Sequence, residues 1–108
     1  MNICPKVNIV VVCWNALRYT IYTLNSLLKT INIDVYLTII DNGSEVETRN
    51  YLSSLPVPFF VKGFSYIRNE KNLGIGAAYN QGHFQSIIIG CEYTVFVIMI
   101  CVFPLTGY

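Results

Sequence analysis

An open α/β fold, with a mainly parallel sheet and flanking helices, is the fold class this sequence predicts, and three observations predict it. Short apolar runs rich in β-branched residues recur at 7–12, 35–40, 64–67 and 93–97, and the first two are nearly continuous, as in strands covered on both faces. Stretches with helical spacing or helix-start chemistry lie between them. Polar turn residues follow the carboxyl ends of the first three runs. Strand and helix alternating in this way imply parallel neighbours joined by right-handed crossovers.

Each element has its own justification. The first strand, 7–12, ends near Cys13. Leu17, Ile21, Leu24, Leu28 and Ile31 then recur at helical intervals and make one apolar stripe, with Asn15 placed to cap the helix. The second strand, 35–40, stops at Asp41-Asn42-Gly43, residues that favour turns and tolerate positive φ. Ser44-Glu45-Val46-Glu47 matches a capping box, in which the Ser44 hydroxyl and the Glu47 carboxylate each bond the other's backbone amide, so a second helix is expected to begin there. Pro56 and Pro58 end it. A third strand over 64–67, a polar loop over 69–72, a third helix from Gly74 to about Ile89 and a fourth strand over 93–97 complete the series.

Composition sets further bounds. A chain of 108 residues, 54% hydrophobic and 12% charged, has the make-up of one globular domain and excludes a disordered tail. The net charge of +1, with its charges scattered, supplies no field for a polyanion, so no nucleic-acid partner is expected. Cys4, Cys13, Cys91 and Cys101 form no Cys-x-x-Cys pair, and Cys13 and Cys101 sit in apolar runs, which reads as buried reduced thiols in a cytosolic protein. The apolar run at 7–13 is short, is interrupted by Asn8 and lacks a cleavage site, so it reads as a core strand and not a signal peptide. The run at 93–103 is about half the ~20 residues a membrane-spanning helix needs.

In open α/β sheets ligands bind at the carboxyl ends of the strands, which places segments 13–15, 41–44 and 69–74 along one edge. Three motifs lie there: Val12-Cys13-Trp14-Asn15, Ile40-Asp41-Asn42-Gly43-Ser44, and Asn72-Leu73-Gly74 leading through Ala77-Ala78-Tyr79-Asn80. The ordered set resembles family-2 glycosyltransferases over residues 7–97. The first strand of that family ends in an aromatic-Asn pair and the second in Asp-(Asn/Asp)-(Gly/Ala)-Ser. Its third helix opens with Asn-x-Gly and carries an Asn two turns in. The resemblance implies the N-terminal, nucleotide-sugar-binding half of a Rossmann-like, A-type glycosyltransferase fold, held in a single partial domain over 1–108 with an aberrant tail from 98.

The resemblance implies roles for named residues. Asp41 accepts a hydrogen bond from the base or ribose of the nucleotide, work that suits an acceptor-only carboxylate; its competing role is to shape the turn. The backbone near Cys13 and Trp14 flanks the base, Trp14 offering an apolar face or, alternatively, packing under the first helix, and Asn15 of the same motif counts among the nucleotide-binding residues. Asn42 belongs to the same turn as Asp41. Gly74 lets the backbone approach the nucleotide, and the helix start directs amides toward negative charge. Asn72 and Asn80 hold that loop by hydrogen bonds, the structural role being favoured for Asn80. Arg68 and Lys71 either meet a diphosphate or are simply solvated. His83 lacks any partner at metal spacing and reads as a surface or half-buried histidine.

The same resemblance implies a nucleotide-diphosphate sugar as donor, a saccharide or lipid-linked acceptor, and cytoplasmic work, at the inner face of a membrane, in surface-polysaccharide assembly. It implies Mg or Mn on an acidic cluster after the fourth strand. Here the chain departs from the family, for it holds no carboxylate after Glu92, so neither metal ligand nor catalytic base is expected. A truncation or frameshift ahead of the Asp-x-Asp region accounts for this: Met99 followed by any Ile codon reads Asp in the shifted frame, and Asn-Asn-Asp is then permitted across 97–99. An open sheet edge around 95–103 predicts poor solubility and self-association.

Two other readings compete. One is a non-catalytic α/β nucleotide-binding or regulatory module. The other is a dinucleotide-binding domain, prompted by Gly74-Ile75-Gly76-Ala77-Ala78-Tyr79. Its context fails, because the fingerprint belongs after the first strand and ends in Gly, whereas this copy follows the third strand and ends in Tyr79.

Overall fold

The computed structural model describes residues 5–98; residues 1–4 and 99–108, with the tail and the shifted-frame reading, lie outside the described residues. Four strands and three helices alternate: β1 (Val7–Cys13), α1 (Leu17–Thr30), β2 (Val35–Asn42), α2 (Val46–Ser53), β3 (Val61–Asn69), α3 (Gly74–Ile89) and β4 (Tyr93–Ile98). The strands form one sheet in the order β3-β2-β1-β4, and every pairing is parallel. This is the Rossmann-like α/β arrangement that the alternation predicts.

Strand periodicity divides the core between two faces. Ile9, Val11, Leu37 and Ile39 pack against Leu24 of α1 and Leu52 of α2 on one face. Val10, Val12 and Ile40 meet Ala78 of α3 on the other. Leu24 and Leu52 are fully buried, each stabilising the fold by roughly 1.5–3 kcal/mol. Of the predicted α1 stripe, Leu28 and Ile31 join Leu24 on the core together with Leu27, whereas Leu17 and Ile21 do not belong to that cluster. On the α3 face Gly82 lets the helix come close, since a Cβ there would stand 2.6 Å from Val10 Cγ1. Beneath the same helix Asn8 donates to Ser86 Oγ and accepts from Thr38 Oγ1, each at 2.9 Å, while Thr94 Oγ1 donates to Ser86 Oγ at 2.7 Å. This buried set is hydrogen-bonded throughout and ties three strands to one helix.

Three local expectations are corrected. Asn15 does not cap α1; Ala16 occupies that position with φ 53° and no side-chain cap. The Ser44 capping box does not form either, because α2 begins at Val46 behind Glu45 and the Ser44 hydroxyl is engaged elsewhere. Long-range partners at the strand ends compete successfully for both side chains. Finally β3 starts at Val61, not Phe64, with a register irregularity opposite Val35 and Tyr36 that leaves Lys62 unpaired and brings Gly63 beneath the Tyr36 ring. Lys62 and Gly63 are poor strand formers in isolation, and pairing with β2 overrides that preference. Among the described residues no helix is long and apolar enough to cross a membrane.

Candidate functional site

Parallel register brings Cys13, Asp41 and Arg68 into one row at the carboxyl ends of β1, β2 and β3. Three loops leave from this row, and side-chain hydrogen bonds join them into one rim.

The β1–α1 loop turns through two consecutive residues in the left-handed region, Asn15 (φ 49°) and Ala16 (φ 53°), a conformation costly for alanine. It is held by the neighbouring loop: the Asn15 N–H donates to Ser44 Oγ at 2.8 Å and Asn15 Oδ1 accepts from the Glu45 N–H at 2.7 Å. Trp14, just ahead of this turn, is 54% exposed. Packing under α1 is therefore not its role, and its indole is exposed beside the rim.

The end of β2 and the turn after it carry three buried polar residues, Asp41, Asn42 and Ser44. Asp41 Oδ1 accepts from the Ser44 N–H at 2.9 Å, and Oδ2 accepts from the Tyr66 hydroxyl at 2.6 Å and from Arg68 Nη1 at 3.0 Å. Arg68 Nη1 also donates to the Ser44 carbonyl at 3.1 Å. Burial, reinforced by the Asp41 carboxylate, pushes the Tyr66 hydroxyl up to about 12. Burial, with the charge of Asp41, raises the Cys13 thiol as well, so that thiol stays protonated and inert.

Asn42 closes the third loop onto the second. Its Oδ1 accepts from Asn69 Nδ2 and from the Leu73 N–H, each at 3.0 Å, and its Nδ2 donates to Asn72 Oδ1 at 2.9 Å and to the Gly74 carbonyl at 3.2 Å. Asn72 Oδ1 in turn accepts from the Gly74 N–H at 2.8 Å. Gly43 is required between Asp41 and Ser44 on two counts. Its φ is +85°, and a Cβ would stand 2.6 Å from the Lys71 carbonyl carbon.

Of the residues read from the sequence, Cys13, Trp14, Asn15, Asp41, Asn42, Asn72 and Gly74 thus come together at one edge. Asn80 does not join them: it is exposed and makes no side-chain hydrogen bond among the described residues. The loop-holding role falls to its neighbour Gln81, which exchanges bonds of 2.8 and 2.7 Å with the Asn69 amide. Tyr66 and Gln81 are not legible as site residues from the sequence, whereas Asn69 opens the 69–74 segment expected at this edge. Alternation along β3 places Tyr66 and Arg68 on one face, but only the register with β2 brings them to Asp41. A separate cavity of about 630 Å³, lined in part by Lys6, Asp34, Tyr36 and Lys62, lies at the amino ends of the strands, away from this rim.

Among the described residues no group of three or more His, Cys, Asp or Glu side chains assembles to hold a metal, and the Asp41 carboxylate is occupied by three donors. The acidic cluster on which the resemblance places a divalent cation would follow β4, outside the described residues.

No curated protein matches the chain. The sequence model of the family described as glycosyl transferase family 2 matches residues 8–86, which runs from the first residues of β1 to the buried Ser86 of α3 and takes in all three loops of the rim. With a parallel α/β sheet beneath that match, the chain belongs to glycosyl transferase family 2.

Proposed function

We propose that this chain is the nucleotide-sugar-binding half of a glycosyltransferase, taking a nucleotide-diphosphate sugar for transfer to a saccharide or lipid-linked acceptor, and that it does not complete transfer by itself. The observation that carries this reading is the rim: loops from three strands are locked into one another by Asn15, Asp41, Asn42, Ser44 and Asn72, with Trp14 exposed beside them. A preordered edge of this kind lowers the cost of binding, because the loops are not ordered at the ligand's expense.

The chemistry assigned to these residues is binding and orientation. Trp14 supplies a stacking face for the base. The Asp41 group recognises the nucleoside. Gly74, with φ +87° and open space where a Cβ would be, leaves room for close backbone approach at the start of α3, where amide groups face incoming negative charge. In the family a divalent cation offsets charge on the departing diphosphate. Work at the inner face of a membrane is part of the same reading.

A non-catalytic nucleotide-binding or regulatory module is the second reading, favoured by the saturation of Asp41 with protein donors. Calorimetric titration with UDP and dTDP, with and without manganese, tests binding in both readings. Binding that is weak, indifferent to manganese and lost in Asp41→Ala is the expected result. A folded chain that binds neither nucleotide would reduce the family membership to a shared fold. Addition of a purified C-terminal half from a family member separates the readings, since restored sugar transfer favours the enzyme half.

A further inference from the structure

The end of the sheet opposite the rim holds a cavity of about 630 Å³, at the amino ends of β1, β2 and β3. Its size falls in the range of about 300–1,000 Å³ usual for small-molecule sites. Pro5, Lys6, Ile33, Asp34, Tyr36 and Lys62 contribute to its lining, and none of them belongs to the three loops of the rim.

Three local features shape it. The register irregularity opposite Val35 and Tyr36 takes Lys62 out of the strand ladder, and a bulge of this kind re-aims a side chain. The Lys62 ammonium donates to the Phe59 carbonyl at 3.4 Å and lies 3.8 Å from Asp34 Oδ2. Gly63, the next residue, lets the Tyr36 ring lie against β3, since a Cβ there would stand 2.8 Å from Tyr36 Cδ1. Lys6 is fixed from the β4 side, where its carbonyl accepts from the Glu92 N–H at 2.9 Å and from the Tyr93 N–H at 3.2 Å. Its ammonium stands 5.8 Å from the centroid of the Tyr36 ring, within reach of a cation–π attraction.

The lining indicates what the cavity takes. Two ammonium groups face one carboxylate, which leaves an excess of positive charge. The Lys62–Asp34 pair is long, and 48% and 65% of the two side chains are exposed, so it contributes little and an arriving anion displaces it at small cost. Pro5, Ile33 and the Tyr36 ring add apolar wall, and Ile33 is 55% exposed. A bare inorganic anion would leave that wall wet. A neutral apolar molecule would leave the ammonium groups unused, and a cation would meet them as like charges.

We propose that this cavity binds a small organic anion built on an apolar ring, its charged group contacted by Lys6 and Lys62 and its ring covering Ile33 and Tyr36. Asp34 opposes the ligand as a competing carboxylate. The inference stands apart from the nucleotide-binding reading, whose residues lie at the other end of the strands.

NMR titration of the full chain tests it, with naphthoate as the probe, naphthamide as the uncharged counterpart and inorganic phosphate as the anion without a ring. Naphthoate is expected to shift the amide signals of Asp34, Tyr36 and Gly63 saturably and to leave those of Asn42 and Gly74 in place. Naphthamide and phosphate are expected to bind at least about fivefold more weakly. Lys6→Gln and Lys62→Gln are each expected to weaken naphthoate by about two- to fivefold, and Asp34→Asn to tighten it by a similar factor. All three side chains are exposed, so the substitutions leave the fold intact. Opposite signs at Lys62 and Asp34 do not arise from adhesion of the ring to exposed apolar surface elsewhere. Equal binding of naphthoate and naphthamide overturns the proposal, as does unchanged naphthoate affinity in both lysine variants or the lack of a saturable shift in the wild-type chain.

Discussion

Asn42 uses every face of one buried amide, accepting twice and donating twice to the loop that leads into α3. Replacing it with alanine leaves the Leu73 N–H and the Asn69 amide without that acceptor. Asn42→Ala is expected to lower stability by about 2–3 kcal/mol, read as a reduced urea midpoint with unchanged slope. A loss below about 0.5 kcal/mol would show that the loop is held by something else. Tyr66 gives a pH dependence at the same scale. Its folded hydroxyl titrates at about 12 against an ordinary value of 10.0, with burial the larger cause and Asp41 the next. Because the folded value is raised, the stability it contributes is complete below pH 10 and is lost as pH rises toward 12. Melting temperatures measured across that window should fall more steeply for the wild-type chain than for Tyr66→Phe. Parallel curves would remove Asp41 and Tyr66 as a coupled pair.

At the scale of elements, the connection between β1 and α1 stores strain just after the exposed Trp14. Ala16 sits at φ 53°, where its Cβ is penalised, and Ser44 and Glu45 hold the preceding Asn15 from the adjacent loop. Ala16→Gly is expected to stabilise the chain by about 0.5–1 kcal/mol, relief of the left-handed penalty outweighing the added freedom of the unfolded chain. A destabilised variant would show that the Ala16 methyl contributes packing larger than its strain. The two absent side-chain caps have the same origin. Asn15 and Ser44 have the right chemistry to cap their own helices, yet each is closer in the folded sheet to the other's loop, so they serve between loops.

At the scale of the whole molecule the sheet ends, among the described residues, at β4, which pairs only with β1. Its segment Tyr93–Ile98 carries no charge to discourage another strand from pairing, and Val95 is 47% exposed. Phe84, Ile87 and Ile88 add exposed apolar surface on α3. Self-association is the expected consequence. Sedimentation at increasing concentration should report a growing mass for the wild-type chain and a smaller one for Val95→Lys. A wild-type chain that stays monomeric throughout would remove this edge as an adhesive surface.

Sequence by itself determined the order of elements and the edge at which the three motif-bearing loops meet. Hydrophobic periodicity is a local property, and so are the turn residues after each strand, which is why Leu24 and Leu28, the Asp41-Asn42-Gly43 turn and the Asn72-Leu73-Gly74 helix entry are legible in the order of residues alone. Tertiary structure alone decided who bonds to whom at that edge. Asp41 finds Tyr66 and Arg68 through a β2–β3 register that spacing along the chain does not encode, and Gln81 in place of Asn80 meets Asn69 because the roll of α3 on the sheet turns one toward β3 and leaves its neighbour outside. Strand ends separated by 25 or more residues in the chain become neighbours only when the sheet forms, and the hydrogen bonds made there displace the local caps that the sequence favours.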